Sequence, residues 1–117
     1  IIPVGSGSGF FVNLSGYIVT NDHVIDQCQQ VKVHQGTKVS SSEIISRDLK
    51  NDLAVLKIEQ TPKGAFPLSN EIPYLTQDIT LAGFPMVDTL GSSLKANKGS
   101  VSALSAPGNF SNIQIDT

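Results

Sequence analysis

The feature that most constrains this chain is the period of its apolar residues. No window of about 11 residues or more carries a convincing 3.6-residue repeat, which excludes a fold built on long amphipathic helices. Apolar residues instead alternate over short runs, broken by Gly, Pro, Asn and Ser at roughly 8–12-residue spacing, the pattern of an all-β sandwich or barrel. Phe10-Phe11-Val12-Asn13-Leu14 and Tyr17-Ile18-Val19-Thr20 read as a hairpin with Ser15-Gly16 as a two-residue turn. Gln30-Val31-Lys32-Val33-His34 alternates, Gln35-Gly36-Thr37 turns, residues 38–46 alternate again, and Leu53-Ala54-Val55-Leu56-Lys57-Ile58 reads as a strand buried on both faces or nearly so. Pro62, Pro67 and Pro73 cannot donate to a sheet ladder, so the stretch around them reads as a boundary. Beyond it stand three strand candidates: residues 78–84, residues 93–104 with a break near Asn97-Lys98-Gly99, and residues 111–116. The expected organisation is therefore a block of about six strands over residues 1–74 and a block of about three over 75–117.

Composition narrows function mainly by exclusion. With 117 residues and 39% hydrophobic content, the chain suffices for one domain with a core, or one and a fraction. A formal net charge of -2, with only 15% charged residues, offers no electrostatic footprint for nucleic acid or an anionic membrane, and neither is expected as a partner. Cys28 is the sole cysteine, and no Cys/His cluster has metal-ligand spacing, so neither metal nor cofactor is expected. Cys28 reads as a small structural side chain and His34, beside a turn, as a surface histidine. No apolar run reaches membrane-spanning length. The missing initiator Met fits a mature or trimmed form.

One histidine stands apart. His23 follows a short apolar strand and the polar pair Asn21-Asp22, on a stretch that should form a tight helical turn. For imidazole to deprotonate a hydroxyl near neutral pH, an acceptor must hold its other nitrogen in one tautomer, and a buried carboxylate usually does so. Asp22, Asp26 and Asp52 are the candidates. Asp22 adjoins His23, so its side chain should point elsewhere; Asp26 could reach the ring from i+3 but is expected to face solvent or cap the turn. Asp52, at the entrance of the most apolar strand, is where a carboxylate should be buried and rigid.

Thr20-Asn21-Asp22-His23-Val24-Ile25, followed 29 residues after the histidine by Asp52 in Asn51-Asp52-Leu53-Ala54-Val55-Leu56-Lys57-Ile58, resembles the histidine and aspartate motifs of trypsin-like serine proteases. Within that superfamily the chain is most similar to the bacterial HtrA (Deg) type and related trypsin-like peptidase domains. Residues 5–12, Pro67-Leu68-Ser69-Asn70, Leu81-Ala82-Gly83-Phe84-Pro85 and Lys98-Gly99-Ser100-Val101-Ser102-Ala103-Leu104 add matches in family order. The resemblance implies a chymotrypsin-like fold: a complete first antiparallel β-barrel and, here, an incomplete second barrel of about three strands. It implies His23 as general base and then general acid, Asp52 as the group that orients it, a polypeptide as substrate, and a bacterial periplasmic or otherwise exported location.

The chain departs from the family at the nucleophile. The family's Gly-Asn-Ser-Gly-Gly motif is expected beyond a segment resembling Asn112-Ile113-Gln114-Ile115-Asp116-Thr117, where the sequence stops. Gly108-Asn109-Phe110-Ser111-Asn112 is no substitute, because a phenylalanine intervenes and no glycine follows Ser111. The expectation is an N-terminal part of a serine endopeptidase, inactive by itself. It should partner either the C-terminal remainder of the same protease or another copy, through unpaired strands of the second barrel. Two other readings fit part of the sequence: a non-catalytic barrel used for assembly or unfolded-chain binding, and a generic β-barrel binding domain.

Overall fold

A computed structural model describes residues 6–83, 95–103 and 114–116. They form two units, which divide between Leu68 and Ser69. The first unit contains β1 (Gly9–Phe11), β2 (Tyr17–Thr20), the one-turn helix α1 (Asp22–Ile25), β3 (Val31–Gln35), β4 (Lys38–Asp48) and β5 (Leu53–Lys57). The five strands make one antiparallel sheet in the order β1-β2-β5-β4-β3. β4 is its spine: residues 38–42 pair with β3, whereas residues 43–48 pair with β5. A register shift between Ile44 and Ser46 leaves Ile45 as the extra residue of a bulge. Bulges bend a strand and add twist, so a strand that bulges where it changes partner curls the sheet. The result is a curled half-barrel, in the all-β class expected.

Its core consists of Ile18, Ile25, Ala54, Leu56 and Ile58, with Phe11, Val24, Val31 and Val33 packed against it. Ile18 comes from β2 and Ala54 and Leu56 from β5, strands that lie side by side in register Ile18↔Leu56 and Thr20↔Ala54. The two-faced burial expected of residues 53–58 is not found. Ala54, Leu56 and Ile58 are buried, while Leu53, one residue out of phase, is 45% exposed. The run is apolar apart from Lys57, but an antiparallel strand need seal only one face.

The first connection also differs from expectation. A two-residue turn at Ser15-Gly16 would pair Leu14 with Tyr17, yet β1 ends at Phe11, which faces Ile18. Asn13 explains the longer loop. Its Oδ1 accepts the Ser15 N–H (2.9 Å) and the Tyr17 N–H (3.4 Å), so a side chain replaces ladder partners through the turn. Gly16 completes it at φ +94°, and its carbonyl accepts the Ile58 N–H at 3.0 Å. A Cβ there would collide with the Ile58 carbonyl oxygen, whereas Gly36, in the β3–β4 turn at φ +60°, has open space around it. Gly16→Ala should therefore destabilise the chain by about 3 kcal/mol or more, from backbone strain plus collision, and Gly36→Ala by only about 1 kcal/mol. Urea unfolding of the two variants measures the difference; equal losses would refute this account of the turn.

The second unit is the antiparallel sheet β6 (Asp78–Gly83), β7 (Lys95–Ala103) and β8 (Gln114–Asp116), in the order β6-β7-β8. The break expected near Asn97-Lys98-Gly99 does not occur. These residues pair with Leu81, Thr80 and Ile79, so the β6 ladder overrides their turn propensity. The irregularity falls instead between Val101 and Ala103. Val101 is 1% exposed and is tied by backbone bonds to Thr76 (2.8 Å) and Gln77 (3.0 Å). The proline-bearing stretch, residues 58–77, contains neither helix nor strand. Phe84-Pro85, Leu104, Ser111 and the Gly108 to Asn112 segment lie outside the described residues. Among the described residues no helix is long and apolar enough to cross a membrane.

Candidate active site

A four-residue helix holds its shape poorly in isolation, because helix nucleation is unfavourable. α1 is held by its surroundings, and its sequence divides accordingly. Asp22 and Ile25, three apart and so on one face, are 3% and 1% exposed. Ile25 enters the core, and the His23 side chain is left 71% exposed.

Asp52 meets His23 with both carboxylate oxygens. Oδ2 lies 2.6 Å from the ring Nδ1, and Oδ1 accepts the His23 backbone N–H at 2.8 Å. An ionised carboxylate can only accept, so the ring proton sits on Nδ1 and Nε2 is left as the basic nitrogen. The backbone bond also satisfies one of the N–H groups that the start of a helix leaves without an internal partner. Asn21 occupies the N-cap position yet makes no side-chain cap. Its amide donates instead to the Asp52 carbonyl at 3.0 Å, so Asn21 and Asp52 grip each other's segments in both directions.

Asp52 reaches this position through an uncommon backbone. Its φ of +57° lies in the left-handed region, which an Asp tolerates better than most side chains. The preceding turn prepares it, with Asp48 accepting both the backbone N–H (3.1 Å) and the side-chain amide (2.8 Å) of Asn51. Those bonds hold the Asp48 carboxyl below the usual carboxylate range, the side-chain one counting most. The Asp52 carboxyl is lowered likewise, first by the His23 backbone N–H and then by the ring. Its environment differs from expectation in one respect. The Asp52 side chain is 43% exposed rather than buried, since hydrogen bonds fix it and the buried positions of the strand begin only at Ala54.

The other candidates go elsewhere. Asp22 and Asp26 both face Arg47, the sequence's only arginine: Arg47 Nε lies 2.5 Å from Asp22 Oδ1, and its Nη2 lies 3.1 Å from both Asp22 Oδ2 and Asp26 Oδ1. Sequence reasoning gave Arg47 no part, although two acids four apart on one helical face were a signal that a cation would sit between them. Cys28 is half-buried, with Sγ 3.8 Å from the Val24 carbonyl, and His34 is exposed on β3 opposite Val39. Gly7 passes so close to Val24 of α1 that a Cβ there would collide with the valine side chain. Among the described residues no group of three His, Cys, Asp or Glu could hold a metal ion.

Comparison with known proteins places this geometry in context. The profile of a family described as "Trypsin-like peptidase domain" matches residues 7–117. An uncharacterized protein of Sinorhizobium fredii, y4bJ, is 33% identical over 105 residues, covering 89% of this chain and 16% of that protein. A probable periplasmic serine endoprotease, DegP-like, of Bartonella henselae is 41% identical over 66 residues, covering 55% of this chain and 13% of that protein. Among solved structures, the serine endoprotease from Yersinia pestis superposes with a TM-score of 0.68 at 32% identity, covering 83% of this chain and 35% of that one. The chain thus spans a small part of the length of the relatives it matches. The Yersinia likeness bears out the chymotrypsin-like class expected from the motifs.

Proposed function

The chain belongs to the trypsin-like peptidase domain family, of which it resembles the HtrA type, and we propose that it supplies the base half of a serine endopeptidase site. In this reading His23 removes the proton from an attacking serine hydroxyl through Nε2 and returns it to the leaving amine, while Asp52 fixes the tautomer and stabilises the imidazolium that forms between the two steps. The observation that carries it is the double contact of one carboxylate on one histidine, at 2.6 Å to the ring and 2.8 Å to the backbone. A barrel used only for assembly has no need of that arrangement. The substrate is a polypeptide, and the location is bacterial and exported, extended from relatives named periplasmic.

The serine itself is not carried by residues 1–117 in this reading, because Ser111 lacks the flanking glycines of the family motif. Strands supplied by the rest of the protease, or by a second copy, would add to the sheet of β6, β7 and β8 at the outer sides of β6 and β8. A fluorophosphonate probe tests both points. The polypeptide of residues 1–117 should stay unlabelled and associate in sedimentation, whereas the protein as its gene encodes it should be labelled. Labelling of residues 1–117 as a compact monomer would overturn the assignment.

A further inference from the structure

We propose that Arg47 is a positioning residue for the His23–Asp52 pair: one guanidinium, fixed on β4, staples both ends of the turn that carries His23. The proposal rests on the catalytic reading for its kinetic consequence and on geometry for the rest. Nε and Nη2 form a fork on the two oxygens of Asp22, and Nη2 reaches on to Asp26. Those carboxylates flank His23 at the start of α1 and just past its end. β4 and β5 are paired with Arg47 opposite Ala54, so Arg47, on β4, and Asp52, one residue before β5, approach the turn side by side. Asp52 holds His23 by its ring and backbone, and Arg47 holds the residues on either side.

Three physical reasons make this hold consequential. First, a helix of four residues has too little internal bonding to keep its own geometry, so external contacts set where the histidine ring lies. Second, Asp22 is 3% exposed, and a buried carboxylate stripped of its cation must find water, which here means moving the residue next to His23. Third, Asp22 and Asp26 are like charges four residues apart that meet at one guanidinium, which converts their repulsion into a shared attraction. A lysine presents a point charge without the planar fork and cannot reproduce all three contacts.

The test uses the protein as its gene encodes it, labelled with ¹⁵N-histidine, and follows the low-field Nδ1 proton of His23 alongside peptide hydrolysis. The wild-type protein should show that proton protected from exchange. Arg47→Ala should broaden or abolish it and lower kcat about tenfold to a hundredfold, the range a displacement of about 1 Å can produce, with KM changed less than about twofold. Arg47→Lys should recover part of both signals. Asp26→Asn, at a side chain 54% exposed and so safe for folding, should give a smaller loss of the same kind. If Arg47→Ala does not fold, Arg47→Lys and Asp26→Asn decide. An unchanged proton resonance and unchanged kcat in the folded variants would overturn the proposal, as would an unprotected proton in the wild type. A resonance that responds as described in a protein that hydrolyses no peptide would leave the staple standing and refute the catalytic reading.

Discussion

His23→Ala, made in the protein as its gene encodes it, is expected to lower kcat for peptide hydrolysis by about six orders of magnitude, with KM little changed. The size follows from how the residue is held. Asp52 holds it by ring and backbone, and the ring is 71% exposed, so its removal takes little from the core and leaves an intact fold without a base. A serine hydroxyl is a weak nucleophile near neutral pH, and no other described imidazole stands at the site: His34 lies on β3 opposite Val39. His34→Ala should therefore leave turnover unchanged and serves as the control. Steady-state kinetics on a peptide substrate, with circular dichroism to confirm the fold, measures both. A loss of less than about tenfold for His23→Ala would remove His23 from the mechanism.

The residues of the pair were legible in the sequence, and the means by which they are held were not. Tyr17 to Ile25 combines an apolar strand, a polar break and a histidine, and Asp52 stands at the entrance to a strongly apolar strand; both signals are local. The Asp52 backbone is another matter. Nothing in the residue type announces a φ of +57°, which depends on Asp48 and Asn51 closing the turn before it and on Asn21 reaching across 31 residues to its carbonyl. Arg47 was passed over for the same reason, since its partners lie 21 and 25 residues away and come near only when β4 pairs with β5. Strand positions were read well where side chains alternate, as in β3 and the start of β4. They were misread where a backbone competitor intervened: Asn13 lengthened the first turn, and β6 carried Asn97-Lys98-Gly99 through as strand.

Asp52→Asn should cost about four orders of magnitude in kcat while preserving the fold, through a change of tautomer. The carboxylate accepts twice, from the His23 backbone N–H and from Nδ1–H. An amide of the same shape has one accepting oxygen and one donating nitrogen. If its oxygen keeps the backbone N–H, its NH₂ faces the ring, and Nδ1 must then accept, which moves the ring proton to Nε2 and removes the base. Asp26→Asn changes no contact with the ring and should cost far less; an equal loss from the two variants would refute Asp52 as the orienting group. Acid titration gives an independent check. Because hydrogen bonds from His23 lower the Asp52 carboxyl in the folded chain, its contribution to stability is complete above the unfolded value of about 4 and disappears as pH falls through the depressed folded value. The stability difference between wild type and Asp52→Asn should therefore shrink as the pH falls below about 4. A difference that instead grew as the pH was lowered below about 4 would mean that the bonds to His23 do not favour the ionised carboxylate, and the tautomer argument would fail with it.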